Sequence, residues 1–230
     1  ALAAPTAALV FAVIASSIFL LIAGSNPINA YGDMIEYGSQ LESQVDILNR
    51  ATPLYISGVA AAIGFKMNLF NIGVEGQYRL AALFAAYIGA LVTLPPVFHI
   101  ALMLIVAMVV GGAYSGIAGV LKVTRGVNEV ISTIMLNAIA ISGLIAILIK
   151  EWQEGGQIQI DSSTRVGTKE IPESGIMPNI NSWLEVFTRE IGKGKELTGF
   201  LLVAVAVGIA YHIIINRTRV GFDLRASGIN

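Results

Sequence analysis

The chain has no cysteine, so disulfides, thiolate nucleophiles and cysteine-type zinc sites are all excluded. Charge is scarce: Asp, Glu, Lys and Arg make up 13% of residues, against about 25% in an ordinary soluble domain. Only two histidines occur, His99 and His212, in separate apolar blocks. That separation points to packing at the ends of helices, not to a metal or acid-base centre. No GxxxxGK[ST] phosphate loop is present; GKGK at Gly192–Lys195 lacks both the spacing and the following Ser or Thr. The chain therefore has no Walker-type ATP site of its own, and nothing in it asks for a cofactor. A basic face with interleaved aromatics, as nucleic-acid binding needs, is missing too, and the formal charge is -1.

What remains is apolar. Hydrophobic residues reach 55% and mean hydropathy is +0.75. The apolar blocks are Leu2–Ala23, Thr52–Met67, Gly73–Leu94, Val97–Leu121, Glu129–Ile149 and Thr198–Ile215. A bilayer crossing takes about 20 mostly apolar residues, and the short alternating segments of a barrel do not occur. The expectation is an all-α, polytopic transmembrane bundle of about six spans. Leu2–Ala23 is too long for a signal-peptide core and has no basic stretch before it, so it reads as a retained span. Pro95-Pro96 stops the third span. Asn128 is placed to cap the fifth, with Glu129 in its first turn.

One polar string, FNIGVEGQ at Phe70–Gln77, interrupts the apolar run. It predicts a broken helix near residues 68–75. Two readings stand side by side. In one, the string is a cytoplasmic turn with Glu75 favoured by the dipole of the next helix. In the other, it is a re-entrant break lining a transport route, since non-helical backbone within a membrane is tolerated only where it is buried or borders a wet path. A second polar feature lies in the fifth span. Glu129, Thr133 and Asn137 recur at i, i+4 and i+8 and so share one face, for interhelical hydrogen bonding or for a binding path. Gly112 and Gly116, with Gly119 behind, and Gly58 with Ala62, suggest close helix packing within the subunit or between subunits.

Charge orients the chain. Lys66–Arg79, Lys122–Asn128 and Asn216–Asn230 are the basic connections, and the positive-inside rule puts them in the cytoplasm. Six spans then leave both ends inside, with Gly24–Ala51 and the polar segment 151–197 outside. The Asn216-Arg217-Thr218 sequon falls on the inner side and is discounted. The tail Thr218–Asn230 by itself reads as a solvated juxtamembrane segment.

Three strings in order, FNIGVEGQ at Phe70–Gln77, GVNEVISTIMLN at Gly126–Asn137 and GxxLRAxGxN at Gly221–Asn230, resemble the permease subunits of bacterial ABC importers in the ribose/branched-chain amino acid superfamily. The branch linked to nucleoside uptake is the most similar, and the likeness takes in Asn26-Pro27 and ATPLYISG at Ala51–Gly58. The resemblance implies a single transmembrane permease domain in the bacterial cytoplasmic membrane. It implies a separate cytoplasmic ABC ATPase, a second permease subunit and an extracytoplasmic solute-binding lipoprotein as partners. On that analogy Asn71, Glu75, Gln77, Thr133 and Asn137 border the translocation path, and Gly221, Leu224, Arg225 and Gly228 match the segment that couples to the ATPase. Family members continue for several helices beyond such a segment, so the chain is expected to be a fragment. The rival functions are a permease for simple sugars or another small solute, an ion-coupled secondary transporter using Glu75, and a membrane scaffold or sensor.

Overall fold

The computed structural model describes residues 3–154, 158–160, 166–181 and 196–228. Gly192–Lys195 and the final Asn230 of the tail pattern lie outside them. The elements in order are α1 (Ala3–Ile22), α2 (Pro27–Ser39), α3 (Leu41–Lys66), α4 (Val74–Leu91), α5 (Pro96–Arg125), α6 (Glu129–Ala138), a π turn (Ile139–Leu144) and α7 (Ile145–Glu154). A two-stranded antiparallel ladder of β1 (Ile158–Ile160) and β2 (Val166–Thr168) follows, then a 3-10 turn (Glu173–Gly175). Two further helices, α8 (Phe200–Arg217) and α9 (Arg219–Ser227), close the described chain.

Helix ends follow their side chains. Asn26 accepts from the Ile28 amide at 2.9 Å, with Pro27 first in α2, and Asn128 accepts from the amides of Val130 and Ile131 at 2.9 and 3.3 Å. These caps answer amides that the first turn leaves without a partner. At the other end of α5, Gly126 adopts φ +65°, which a residue with a Cβ resists.

The architecture is helical and membrane-spanning. Among the described residues four helices are long and apolar enough to cross a bilayer: Ala3–Ile22, Pro96–Arg125, Glu129–Gln153 and Phe200–Arg217. The other two expected spans fall short on polarity. α3 starts well before Thr52 and takes in Glu42, Asp46 and Arg50, while α4 opens with Glu75, Gln77 and Arg79. The ladder β1–β2 is an addition that the apolar pattern did not foretell.

The chain forms two compact units. In the first, Ala1–Asn49 with Ile180–Leu197, α2 folds back on α1. The Tyr31 hydroxyl lies 2.8 Å from Ser16 Oγ and 3.1 Å from Ser17 Oγ, and donates to the Val13 carbonyl at 3.2 Å. Asn181 Oδ1 takes the Leu197 amide at 2.7 Å, and Asn49 Nδ2 donates to the Glu196 carbonyl at 2.8 Å.

The second unit, Arg50–Asn179 with Thr198–Asn230, holds the packed core. Leu80 of α4, Tyr114 of α5 and Ala140 of the π turn form its centre, with Phe84, Leu136 and Leu148 against them. Lipid is as apolar as these side chains, so fit and hydrogen bonds carry helix association. α4 and α5 run antiparallel and pack together at Gly89, whose added Cβ would strike Met103 Sδ at 2.7 Å, and at Gly111, beside Ala81. The expected Gly112–Gly116–Gly119 stripe is not used for this packing: an added Cβ at any of the three meets nothing within 4 Å. Tyr114 donates its hydroxyl to the Leu136 carbonyl at 2.8 Å. It does so just where α6 gives way to the π turn and the regular i→i−4 ladder is interrupted.

The end of this unit remote from the break is sealed by His99, which is fully buried. Its Nε2 lies 3.0 Å from the Gly89 carbonyl and its Nδ1 2.8 Å from Ser174 Oγ. A carbonyl can only accept, so Nε2 carries the proton there and, in the neutral ring, Nδ1 accepts from the serine. Trp152 stacks on Tyr87 with centroids 3.9 Å apart and meets Phe84 edge-on at 5.4 Å.

Candidate functional site: a broken helix braced by the face of α6

The break is real and compact. α3 ends at Lys66 and α4 begins at Val74, and Asn68 stands between them at φ +54°, in the left-handed region. Leu69 donates to the Gly64 carbonyl at 2.9 Å, a wrap that satisfies α3's last carbonyls. The rings of Phe65 and Phe70 meet across the gap with centroids 5.4 Å apart.

Segment 70–76 has few backbone partners of its own, and α6 supplies them. The carboxylate of Glu129 is paired with Lys122 Nζ at 2.9 Å and lies near the Phe70 backbone. One turn on, Thr133 Oγ1 accepts from the Ile72 amide at 3.2 Å while donating back to the Glu129 carbonyl at 2.7 Å. Another turn on, Asn137 Oδ1 accepts from the Gly76 amide at 2.6 Å. Two side chains of this face, Thr133 and Asn137, thus hold amides of the segment, and Glu129 stands at its foot. Such amides are costly to leave bare inside a membrane.

Glu129 opens α6 and Asn137 lies eight residues further, about 12 Å at 1.5 Å per residue. The break therefore runs along α6, and α4 starts about two turns beyond the first residue of α6. The close approach rests on Gly76: a Cβ there would lie 2.8 Å from Asn137 Oδ1 and 3.0 Å from the Ala140 Cβ.

Asn71 and Gln77 form a reciprocal amide pair, Asn71 Nδ2 to Gln77 Oε1 at 3.0 Å and Gln77 Nε2 to Asn71 Oδ1 at 3.2 Å. Asn71 Oδ1 also takes the Gly73 amide at 2.9 Å. Both side chains are half-buried. Glu75 stands apart. Its carboxylate is exposed and binds Arg79 through Nη2 at 2.7 Å and Nε at 3.1 Å. Four of the five residues expected at the path, Asn71, Gln77, Thr133 and Asn137, thus meet in one cluster, while Glu75 beside it is exposed and paired with Arg79.

The expected coupling segment is helix α9. Thr218 caps it, accepting from the Gly221 amide at 3.1 Å and donating to the Ile214 carbonyl at 2.7 Å. Gly221 is buried against the Ile214 and Ile215 carbonyls, and the half-buried Gly228 lies against the backbone of Lys66 and Met67. Leu224 and Arg225 are half-buried, while Val220 and Phe222 stand exposed.

Sequence reasoning missed Gly76, Lys122 and Tyr114. The glycine inside VEGQ was the available sign for the first, since a glycine in a helix's opening turn invites a close neighbour. No group of three or more metal-ligating side chains occurs among the described residues.

Residues 43–230 match the family model for the branched-chain amino acid transport system permease component. Over 98% of its length the chain is 31% identical to the glucose ABC transporter permease protein TsgB13 of Haloferax volcanii, covering 58% of that protein. It is 30% identical, again over 98%, to the guanosine ABC transporter permease protein NupP of Bacillus subtilis, 61% of which is covered. The nucleoside ABC transporter permease protein NupB of Lactococcus lactis subsp. cremoris is 31% identical over 98%, with 60% covered. The chain thus spans about three fifths of the length of the relatives it matches. No solved structure matches it significantly.

Proposed function

The chain belongs to the branched-chain amino acid transport system permease family, and on that premise we propose that it is the transmembrane part of an ATP-driven importer for nucleosides or related small polar solutes. The observation that carries this reading is the family match over residues 43–230. Two of the relatives are named for guanosine or nucleoside transport. ATP is hydrolysed in a separate cytoplasmic subunit. A second permease subunit, identical or homologous, completes the path, and an extracytoplasmic lipoprotein delivers the solute.

The path runs beside the break. Asn71 and Gln77 offer carboxamide donors and acceptors to it, Thr133 and Asn137 hold its wall, and Glu75 adds a carboxylate nearer the aqueous end. α9 faces the ATPase with Leu224 and Arg225, while Gly221 and Gly228 set its shape. In the bacterial cytoplasmic membrane six spans cross, with α3 and α4 as the two interrupted ones, and both described ends are cytoplasmic. The polar stretch that follows Glu154 lies outside.

Uptake of labelled guanosine by the full-length subunit, assembled with its ATPase and binding protein, tests the reading. ATP-dependent, vanadate-sensitive uptake is the expected result; uptake driven by an ion gradient without ATP would overturn it. A second reading, import of a simple sugar, is favoured by the glucose permease relative. It predicts that glucose, not guanosine, is carried. Orientation is checked by single cysteines in this cysteine-free chain. One at exposed Glu173 should react with an impermeant maleimide from outside, and one at exposed Ser227 only after permeabilisation.

A further inference from the structure

Asn71 and Gln77 bind each other twice, and the polarity of what is left over is fixed. Asn71 Nδ2 donates to Gln77 Oε1 at 3.0 Å and Gln77 Nε2 to Asn71 Oδ1 at 3.2 Å, which closes the two carboxamides into a ring. A carboxamide can ordinarily be turned over, exchanging its oxygen and nitrogen. Here the Gly73 amide forbids it: it reaches Asn71 Oδ1 at 2.9 Å, and an N–H can be met only by an acceptor. Asn71 is thus locked, and Gln77, its counterpart in the ring, is locked with it.

Each carboxamide has two donor hydrogens and two lone pairs. Asn71 Oδ1 uses both of its lone pairs, on Gln77 and on Gly73. The ring edge on that side is also closed sterically. A Cβ added to buried Gly73 would lie 3.2 Å from Gln77 Nε2, 3.3 Å from Asn71 Oδ1 and 2.9 Å from the Thr133 carbonyl oxygen. On the opposite edge, the second hydrogen of Asn71 Nδ2 and the second lone pair of Gln77 Oε1 have no partner among the described residues. The ring therefore presents one open edge, a donor beside an acceptor 3.0 Å apart, on side chains that are half-buried.

We propose that this open edge is a nucleobase filter in the path, with Asn71 Nδ2 donating to an acceptor of the base and Gln77 Oε1 accepting from the N–H beside it. The inference rests on the importer reading above and names the part of the solute that the break recognises. Carboxamides read base edges through such a donor and acceptor. The locked polarity selects the base over the sugar. A hydroxyl turns to donate or to accept as its neighbour requires, so a fixed edge cannot sort hydroxyls by polarity. A base carries a fixed acceptor and a fixed donor side by side. Guanine meets the edge with O6 and N1–H, and one methyl on N1 removes the hydrogen that Gln77 Oε1 would take.

The test measures uptake of labelled guanosine and of labelled 1-methylguanosine by the full-length subunit, assembled with its ATPase and binding protein, and takes their ratio. The ratio is independent of folded yield, and the binding protein is the same in every arm, so a change in it belongs to the permease. Gln77→Met removes the acceptor. It is expected to reduce guanosine uptake about tenfold, the loss of one hydrogen bond, and to reduce the preference for guanosine by a similar factor. Gln77→Glu keeps an oxygen toward Asn71 and the base, and is expected to retain the preference. An equal fall for both nucleosides in Gln77→Met, with the ratio kept, overturns the filter, because the pair is then only a staple of the break. Loss of the preference in Gln77→Glu to the same extent as in Gln77→Met overturns it too. If the unaltered complex imports glucose and not guanosine, the nucleoside reading itself falls, and the filter with it.

Discussion

The second unit solves the same problem differently at its two ends. At the remote end a single imidazole, His99, is fully buried between a carbonyl and a serine hydroxyl. Each of its polar atoms has one fixed partner on a different segment. At the break, buried and half-buried side chains instead hold the backbone of a segment that has left regular structure. The amide pair beside them, Asn71 with Gln77, keeps donors and acceptors within reach of water or solute. The first arrangement is an anchor, since every alternative leaves a buried group bare. The second can rearrange, because its side-chain bonds are exchangeable one at a time.

Breaking the anchor should show the largest effect. His99→Ala leaves a cavity and two unsatisfied groups, and is expected to cost about 3 kcal/mol. Thermal unfolding of the full-length protein in detergent would show it, with uptake per folded molecule unchanged. Loss of transport without loss of stability would contradict the division drawn above. Next comes Asn137→Leu, which strips the Gly76 amide of its acceptor at a cost of about 1–3 kcal/mol. Uptake per folded molecule should fall with it, and Asn137→Asp, which keeps an acceptor, should recover part of both. Thr133→Val removes the acceptor for Ile72 at nearly constant shape. A loss of about 1 kcal/mol is expected, with Thr133→Ser close to the unaltered protein in a denaturation series. Glu75→Ala is the smallest. Its exposed pair with Arg79 contributes about 0.3–0.5 kcal/mol, so the folded amount barely changes. A reduction in uptake that Glu75→Gln partly spares would place its carboxylate on the solute's route.

The sequence made some of this legible and concealed the rest for physical reasons. The break at 67–73 was readable because Asn68, Asn71, Glu75 and Gln77 cannot sit unassisted among apolar residues. The shared face of Glu129, Thr133 and Asn137 was readable from helical spacing. That the two features are one structure was not, since Gly76 and Asn137 are 61 residues apart and no local pattern encodes such a contact. Asn128 and Pro96 began their helices as their chemistry dictates. Glu75 was grouped with its polar neighbours by position, and its pairing with Arg79 one turn on was not foreseen. The inward contacts of Gly221 and Gly228 were hidden because glycine announces room for a neighbour without saying whose. The Gly112 stripe shows the converse: the room is there, and no described residue fills it.

The π turn at Ile139–Leu144 has a consequence for how this stretch can vary. A π turn consumes one more residue than an α turn, so everything after it is rotated by one residue step, about 100°, from where a regular helix would put it. Asn137 before the turn and Trp152 after it are therefore aimed by two separate phases of what is otherwise one continuous rod. Removing a single residue between Ile139 and Leu144 would restore an unbroken helix with good local bonding. It would also swing Trp152 off Tyr87, or Asn137 off Gly76, but could not keep both in place. Length here is as constrained as chemistry elsewhere: substitutions at an exposed position of the turn such as Ile139 should be absorbed, while a one-residue deletion should not.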